Sequence, residues 1–114
     1  MLNNETLSEK LTALAKGNGF IVFAIGDVYV QFSVEDDDTE MYIEAASHNY
    51  VHAVSADVQP DFAALSFAIE DGNYNKKINR SRVDQMVKET QQVFEDIYKV
   101  DYNTAFEVTE NIGG

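Results

Sequence analysis

The acidic stretch EDDDTE at residues 35–40 has the residue types that most resemble a site for chemistry. Clustered carboxylates bind hard cations such as Ca²⁺. Three of these acids have the spacing of the first ligands of an EF-hand loop: Asp36, Asp38 and Glu40. The rest of that loop is missing, because Met41 replaces its glycine and Ser47 its bidentate glutamate. We predict an exposed turn between two strands, which acids also suit, and assign no metal ligand. A cation site is the alternative.

Two histidines, His48 and His52, stand four residues apart, which is the spacing at which two imidazoles on one helix share a metal. We place both in a strand end and loop, without a characteristic third ligand, and interpret them as solvated side chains. The chain has no nucleophile elbow, no P-loop, no H-E-x-x-H and no G-x-G-x-x-G. Carboxylates are too numerous for spacing alone to select a general acid and base. We predict a protein that is not an enzyme, with no catalytic residue and no cofactor.

Composition limits the classes of partner. The chain has 114 residues, of which 45% are apolar, and contains no cysteine, so we expect one globular domain at 1–114 without disulfides. A net charge of -12 repels nucleic acid and anionic membranes and favours a basic protein partner or a cation. No apolar run is long enough to span a bilayer. The N-terminal ten residues, MLNNETLSEK, lack the features of a signal peptide, and we expect a cytoplasmic protein.

The first half of the chain predicts one helix and three strands. Thr6 and Glu9 form a capping-box pattern, so a helix of about three turns is expected to start at Thr6 and to end at Gly17. The run FIVFAI at 20–25 predicts a buried strand, and Gly26 with Asp27 predicts a tight reversal. Two alternating strands follow, so we predict an antiparallel meander.

The second half predicts helices. Pro60 suits the first turn of a short helix, with Asp57 as a cap, and the apolar residues at 62, 65 and 69 have helical spacing. The polar NYNKKINR at 73–80 predicts a loop or a short edge strand. A long amphipathic helix is expected from Ser81. The tail at 101–114 lacks a clean period, and three alternatives stay open for it: extended helix, added strand or fraying. The core is expected at about 5–100.

Two faces are expected on the predicted sheet. The stripe of the last helix can be core or the wall of a partner-binding groove, and core is favoured. Strand alternation places several polar and aromatic residues on the face opposite Phe32 and Ile43. We predict that these residues contact a partner: Tyr29, Gln31, Ser33, Tyr42 and Glu44.

The segments YVQF at 29–32 and IEAASHNYV at 43–51 together resemble the central part of the YbjN-like and type III secretion chaperone-like superfamily. Its members show an aromatic-Val-Gln-Phe strand, then a strand with a glutamate and a small-Ser-Asn-aromatic exit. The residues that match are Gln31, Phe32, Glu44, Ser47, Asn49 and Tyr50. The resemblance implies an α+β fold with helices from both ends of the chain on an antiparallel sheet, and a small acidic chaperone or adaptor without catalytic residues, frequently homodimeric.

These observations predict a non-enzymatic protein-binding module that holds another polypeptide through a sheet face or a strand edge. The alternative is a small acidic inhibitor or immunity-type protein that blocks a basic enzyme, which the charge of -12 favours. A third interpretation is a dimeric scaffold that binds only itself.

Overall fold

The computed structural model describes residues 2–70 and 72–113 and, at Glu70, the backbone alone. It contains helices α1, α2 and α3 at Leu2–Ala15, Gln59–Ala64 and Val83–Gln92. A 3₁₀ turn at Ala56–Val58 precedes α2, and a π-helical turn at Val93–Ile97 continues α3. The strands β1 to β6 are, in order, Asn18–Ile25, Val28–Val34, Glu40–Ala45, Ala68–Glu70, Asn73–Asn79 and Glu107–Gly113.

The strands form one antiparallel sheet in the order β4-β5-β3-β2-β1-β6. The α+β class and the meander of β1, β2 and β3 are therefore confirmed. The meander begins with a two-residue turn at Gly26 and Asp27, where Gly26 has a φ of +62°, a conformation that glycine adopts without strain. Three further strands extend the sheet beyond the three that the sequence indicated.

All described helices pack on one face of this sheet. Its strands alternate, so every second side chain of β1, β2 and β3 is buried beneath α1 and α3. The core joins apolar residues of both layers: Leu7, Leu11, Leu14, Ile21, Phe23, Val30, Phe32, Met41, Ile43, Phe62, Met86, Val93 and Phe94. The apolar stripe of the last helix is thus core, as predicted. Strand β1 is buried on one face alone, because its residues 20, 22 and 24 are only half-buried.

The start of α1 was wrongly predicted, because the helix already includes Leu2 and Thr6 lies inside it. The reason is a tertiary contact that outweighs the local capping pattern. The side chain of Asn3 is buried, and its Nδ2 donates to the carbonyl oxygens of Tyr102 and Thr104, each at 2.8 Å. Its Oδ1 accepts from the Phe106 backbone N–H at 3.2 Å. Asn3 therefore fixes the segment that leads into β6, which settles the open question of the tail in favour of a strand.

The segment before β5 differs from the prediction in its boundaries. Asp57 is not the cap of α2, whose N-cap residue is Val58 and makes no side-chain cap hydrogen bond. Ser55 instead caps the preceding 3₁₀ turn, since its Oγ accepts from the Asp57 N–H at 3.1 Å. Pro60 does lie in the first turn of α2, but this helix ends at Ala64. Ile69 belongs to β4, and Gly72 lies in the turn between β4 and β5. The predicted stop at residues 71–73 includes Asp71, which lies outside the described residues.

Of the two alternatives predicted for 73–80, a loop and a short edge strand, a strand is present, but its edge position was wrong, because β5 lies between β4 and β3. Its polar residues are accommodated by specific partners. Lys76 lies on the helix-covered face, where its Nζ donates to the Leu65 carbonyl at 2.8 Å and forms an ion pair with Glu89 of α3. The same ammonium lies 5.1 Å from the ring centroid of Phe67. A lysine can therefore occupy this strand, since its charge is paired.

Candidate functional site

The five residues that were predicted to contact a partner lie together on the face of the sheet that the described helices leave uncovered. Gln31 pairs with Glu44 and Ser33 with Tyr42 across β2 and β3, while Tyr29 is the next outward residue of β2. Directly opposed residues of antiparallel strands project to the same side. We name this surface the open face. Its side chains are Phe20, Val22, Ala24, Tyr29, Gln31, Ser33, Tyr42, Glu44, Asn73, Asn75, Lys77, Glu107, Thr109 and Asn111.

An apolar strip crosses the open face along β1. Phe20 lies opposite Ser33, Val22 opposite Gln31, and the strip is half-buried between its neighbours. Beside it, β2 and β3 carry the rings of Tyr29 and Tyr42. Tyrosine combines a large apolar ring with a polar tip, which is why it is common in protein interfaces. The open face therefore offers apolar contact area and hydrogen-bonding groups side by side.

Two asparagines of β5 hold the polar half of the open face in place. Asn73 Nδ2 donates to the Glu44 carboxylate at 2.8 Å and to Tyr29 Oη at 3.1 Å, and Asn73 Oδ1 accepts from the Ser47 N–H at 3.0 Å. The Tyr42 hydroxyl donates to Asn75 Oδ1, and Asn75 Nδ2 donates to the Asn73 carbonyl at 2.9 Å. Because both asparagines are buried, this network fixes the rings and the carboxylate before any ligand arrives.

Sequence reasoning missed Asn73 and Asn75. A signal was present, since the two asparagines flank Tyr74 with period-two spacing, and Tyr74 is buried on the opposite face and stacked on Phe62 at 4.0 Å. The polar character of the whole segment concealed this alternation.

The exit from β3 has a structural role. Ser47 is buried, and its hydroxyl donates to the Gly72 carbonyl, which also accepts from Asn49 Nδ2 at 3.0 Å. Ser47 Oγ in turn accepts from the Asn49 N–H at 3.2 Å. Two residues of the motif that carries the family resemblance therefore fasten this loop to the turn before β5. Tyr50, the third residue that matches the exit part of this motif, is 63% exposed and lies beside Gly72.

The acidic stretch forms the predicted turn between β2 and β3, at one end of the open face. Its backbone is held by Arg80, whose Nη1 donates to the carbonyls of Glu35, Asp36 and Asp38 at 3.2, 3.3 and 2.8 Å. Arg80 Nε also donates to the Ala15 carbonyl at the end of α1, at 3.0 Å. The guanidinium thus ties the acidic turn to a helix terminus and leaves the carboxylates exposed.

A depression of about 770 Å³ lies where the open face meets the acidic turn. It brings four exposed carboxylates beside the aromatic and amide groups of β1, β2 and β3. Its lining consists of Asn18, Gly19, Phe20, Gln31, Ser33, Val34, Glu35, Asp36, Asp37, Asp38 and Tyr42. Such a surface suits a polypeptide that carries both apolar and cationic side chains.

The histidines do not form a pair. His48 follows β3 and His52 lies in the irregular loop beyond it, so the helical spacing that a shared metal requires is absent. His48 Nδ1 is buried and accepts no hydrogen bond from the residues that the structure describes. Within residues 2–70 and 72–113, no three histidine or acidic side chains gather into a group that could hold a metal.

The clearest pKa shifts belong to the core and not to the open face. Burial raises the pKa of Tyr74, Tyr98 and Tyr102, so their phenols stay protonated. The Tyr98 hydroxyl donates to the Ala46 carbonyl at 2.6 Å, and that of Tyr102 donates to Asn4 Oδ1 at 2.7 Å. The hydroxyls of Tyr98 and Tyr102 therefore act as structural donors, whereas the buried Tyr74 hydroxyl has no hydrogen-bond partner among the residues that the structure describes.

Comparison of the chain with models of protein families, with curated proteins and with solved structures gave no match. Among the described helices, none combines the length and the apolar character needed to cross a membrane.

Proposed function

We propose that the chain is a non-enzymatic binding module, chaperone-like or adaptor-like, that holds an extended segment of another polypeptide on the open face. The observation that carries the proposal is the juxtaposition on one uncovered sheet face of an apolar strip and a hydrogen-bonded array of tyrosine, glutamate and asparagine. The resemblance to YbjN-like and type III secretion chaperone-like proteins supports the same function.

The preorganised network favours binding. Asn73 already orients Tyr29 and Glu44, and Asn75 already orients Tyr42, so their side chains lose little conformational freedom when a partner contacts them. The apolar strip of β1 supplies the area whose removal from water stabilises the complex. Affinity would then come from the aromatic centre of the face, which is where binding energy usually concentrates.

Charge favours a basic partner. The net charge is -12, and the exposed acids of the turn border the depression at the end of the open face. A partner segment with lysine or arginine would place cations beside these acids and apolar residues on β1. Complementary charge also accelerates association, more strongly at low ionic strength.

The test is affinity capture from the native host with three baits: the wild-type chain, the double variant Tyr29→Ser with Tyr42→Ser, and the control Tyr50→Ser. The proposal predicts a partner that the wild type and the control retain and the double variant loses. If the double variant is poorly folded, Gln31→Lys replaces it, because this change puts a cation at the centre of the face without removing a ring. Retention of the partner by a folded variant that has an altered face would contradict the proposal.

A second candidate is an acidic inhibitor of a basic enzyme, which the acidic turn beside the depression favours. The salt dependence of binding distinguishes an adaptor from an inhibitor. A contact dominated by exposed charges loses association rate sharply as ionic strength rises, whereas the apolar contact of an adaptor changes little. A partner that washes off at high salt would support the inhibitor. A dimer without any partner would support the scaffold interpretation.

A further inference from the structure

The two edges of the sheet differ in length. At one edge, β4 has three residues, which leaves little backbone for pairing. At the other edge, β6 has seven residues and pairs along its whole length with β1, from Glu107 opposite Ala24 to Gly113 opposite Asn18. In the part of the chain that the structure describes, no strand lies beyond β6. A strand this long presents a row of unpaired N–H and C=O groups.

The pairing register identifies these groups. The two-residue turn makes Ile25 and Val28 a doubly hydrogen-bonded pair, so alternate residues of β1, starting from Ile25, face β2. The intervening residues of β1, including Val22, bond to β6, which leaves three residues of β6 with backbone groups that point outward. They are Val108, Glu110 and Ile112.

The edge carries two glutamates but none of the other usual protections. Sheet edges are commonly guarded by charged side chains, especially lysine, by proline or by a bulge. The sequence of β6, EVTENIG, contains neither lysine nor proline, and its register with β1 runs without a bulge. This edge is therefore able to pair with another strand.

The charge of the β6 edge indicates which kind of strand can pair with it. If two copies paired through β6 in the longest antiparallel register, Glu110 would lie opposite Glu110 of the other copy, and each copy has a net charge of -12. Like charges in opposed positions destabilise a strand pair, and the ion pair of Glu110 with Lys10 offsets this repulsion only locally between two chains of the same sign. The charged residues of β6 are both acidic, but Glu110 forms an ion pair with Lys10 of α1 at 2.7 Å. The exposed Glu107 and the net charge of -12 therefore make a strand with cations complementary to this edge.

We propose that β6 is a docking edge that adds an extended, lysine- or arginine-bearing segment of a partner protein to the sheet. This inference rests on the proposed function, and it names a second contact and a binding mode. Alternate side chains of the added strand would lie next to Glu107, Thr109 and Asn111, so the open face would widen by one strand. Main-chain hydrogen bonds would give affinity, and Glu107 together with the net negative charge would give the preference for cations.

The probe is an eight-residue peptide of alternating lysine and valine with blocked ends, and a peptide of glutamate and valine is the matched control. Amide hydrogen exchange of the full chain, read by NMR, is the measurement. We expect the basic peptide to protect the amides of Val108, Glu110 and Ile112 by about tenfold, because these N–H groups become bonded. The acidic peptide is expected to protect none of them.

A pair of variants isolates the backbone contribution. Glu110→Pro removes one outward N–H, whereas Glu110→Ala removes the same carboxylate and keeps the N–H. Proline is tolerated at an edge position that bonds to no neighbour, so both variants should fold. We expect Glu110→Pro to bind the basic peptide about tenfold more weakly than Glu110→Ala. If Glu110→Pro no longer formed strand β6, the amide hydrogen exchange of the wild-type chain with the two peptides would be the deciding measurement.

Three results would overturn the proposal. The first is binding of the basic peptide with no added protection of the three amides. The second is equal affinity of the two folded variants. The third is a dimer, detected by ultracentrifugation without peptide, that already protects the same amides. A peptide that perturbs Tyr29 and Tyr42 but leaves the β6 amides unprotected would contradict the docking edge and support the proposed function. A peptide that protects the β6 amides but leaves Tyr29 and Tyr42 unperturbed would support the docking edge and contradict binding on the open face.

Discussion

At the scale of single residues, Arg80 joins several segments of the chain. Its guanidinium donates to carbonyls of the acidic turn and of the α1 terminus, two segments that are distant in sequence. We predict that Arg80→Lys lowers the free energy of unfolding by about 2 kcal/mol, because an ammonium cannot reproduce this fork and leaves carbonyls without a donor. Urea denaturation gives the value. Arg82→Lys, at an exposed position, is the control, and an equal loss in both variants would contradict this role.

Asn3 holds the segment before β6 in place, as Arg80 holds the acidic turn. We predict that Asn3→Ala lowers the free energy of unfolding by about 2 to 3 kcal/mol, since two carbonyls and one N–H lose their buried partner. We also expect faster hydrogen exchange of the β6 amides, because the segment before this strand is released. Asn103→Ala is the control, as Asn103 is a nearby exposed residue. Unchanged exchange in β6 would show that Asn3 does not hold the strand.

Part of the candidate site could be predicted at this scale and part could not. Strand alternation alone identified Tyr29, Gln31 and Tyr42 as neighbours on one face, because side chains of a strand alternate whatever the rest of the fold does. The roles of Asn73 and Asn75 depend on long-range pairing of β5 with β3, which local sequence does not encode.

At the scale of elements, the ion pair of Lys76 and Glu89 joins β5 to α3. The two side chains are 9% and 17% exposed, so removal of one partner leaves a largely buried charge. We predict that Lys76→Met or Glu89→Leu alone costs about 3 kcal/mol of stability, whereas the double variant costs clearly less than the sum of the two. Urea denaturation of the four proteins in this cycle gives the coupling energy. Additive losses would mean that the pair does not act as a unit.

The ion pair also illustrates which elements could be predicted from the sequence alone and which could not. The meander and α3 follow from apolar periodicity, and both are present in the structure. The interior strand β5 was missed because KKIN is polar, and its place in the sheet depends on Glu89 from a distant helix and on the Leu65 carbonyl. The exposed strand β6 has no clear period because it is an edge. Its position depends instead on Asn3, about a hundred residues earlier.

At the scale of the whole molecule, we predict that buried tyrosines make the folded protein less stable at alkaline pH. In the unfolded chain these phenols ionise near pH 10, and burial raises the pKa of Tyr98 and Tyr102 in the folded protein. The stabilisation is therefore complete below pH 10 and is lost as pH rises above it, because the unfolded state releases protons first. We predict a decline of about 1.4 kcal/mol per pH unit for each such tyrosine.

The measurement is urea denaturation between pH 8 and about pH 11. Tyr98→Phe should cost about 1 kcal/mol at pH 8, where it loses a hydrogen bond, and should reduce the alkaline decline. Tyr50→Phe, at an exposed tyrosine, is the control and should keep the decline of the wild type. An identical decline in both variants would assign alkaline unfolding to other groups.

The most direct test of the central proposal asks which side of the molecule contacts a polypeptide. A photo-cross-linking amino acid is placed at Gln31, at the centre of the open face, or at Lys88, which is exposed on α3 on the other side of the sheet. Each protein is irradiated in the native host and the products are read by mass spectrometry. The proposed function predicts a cross-linked polypeptide from position 31 and none from position 88. Cross-linking from position 88 alone, or from neither position, would contradict it.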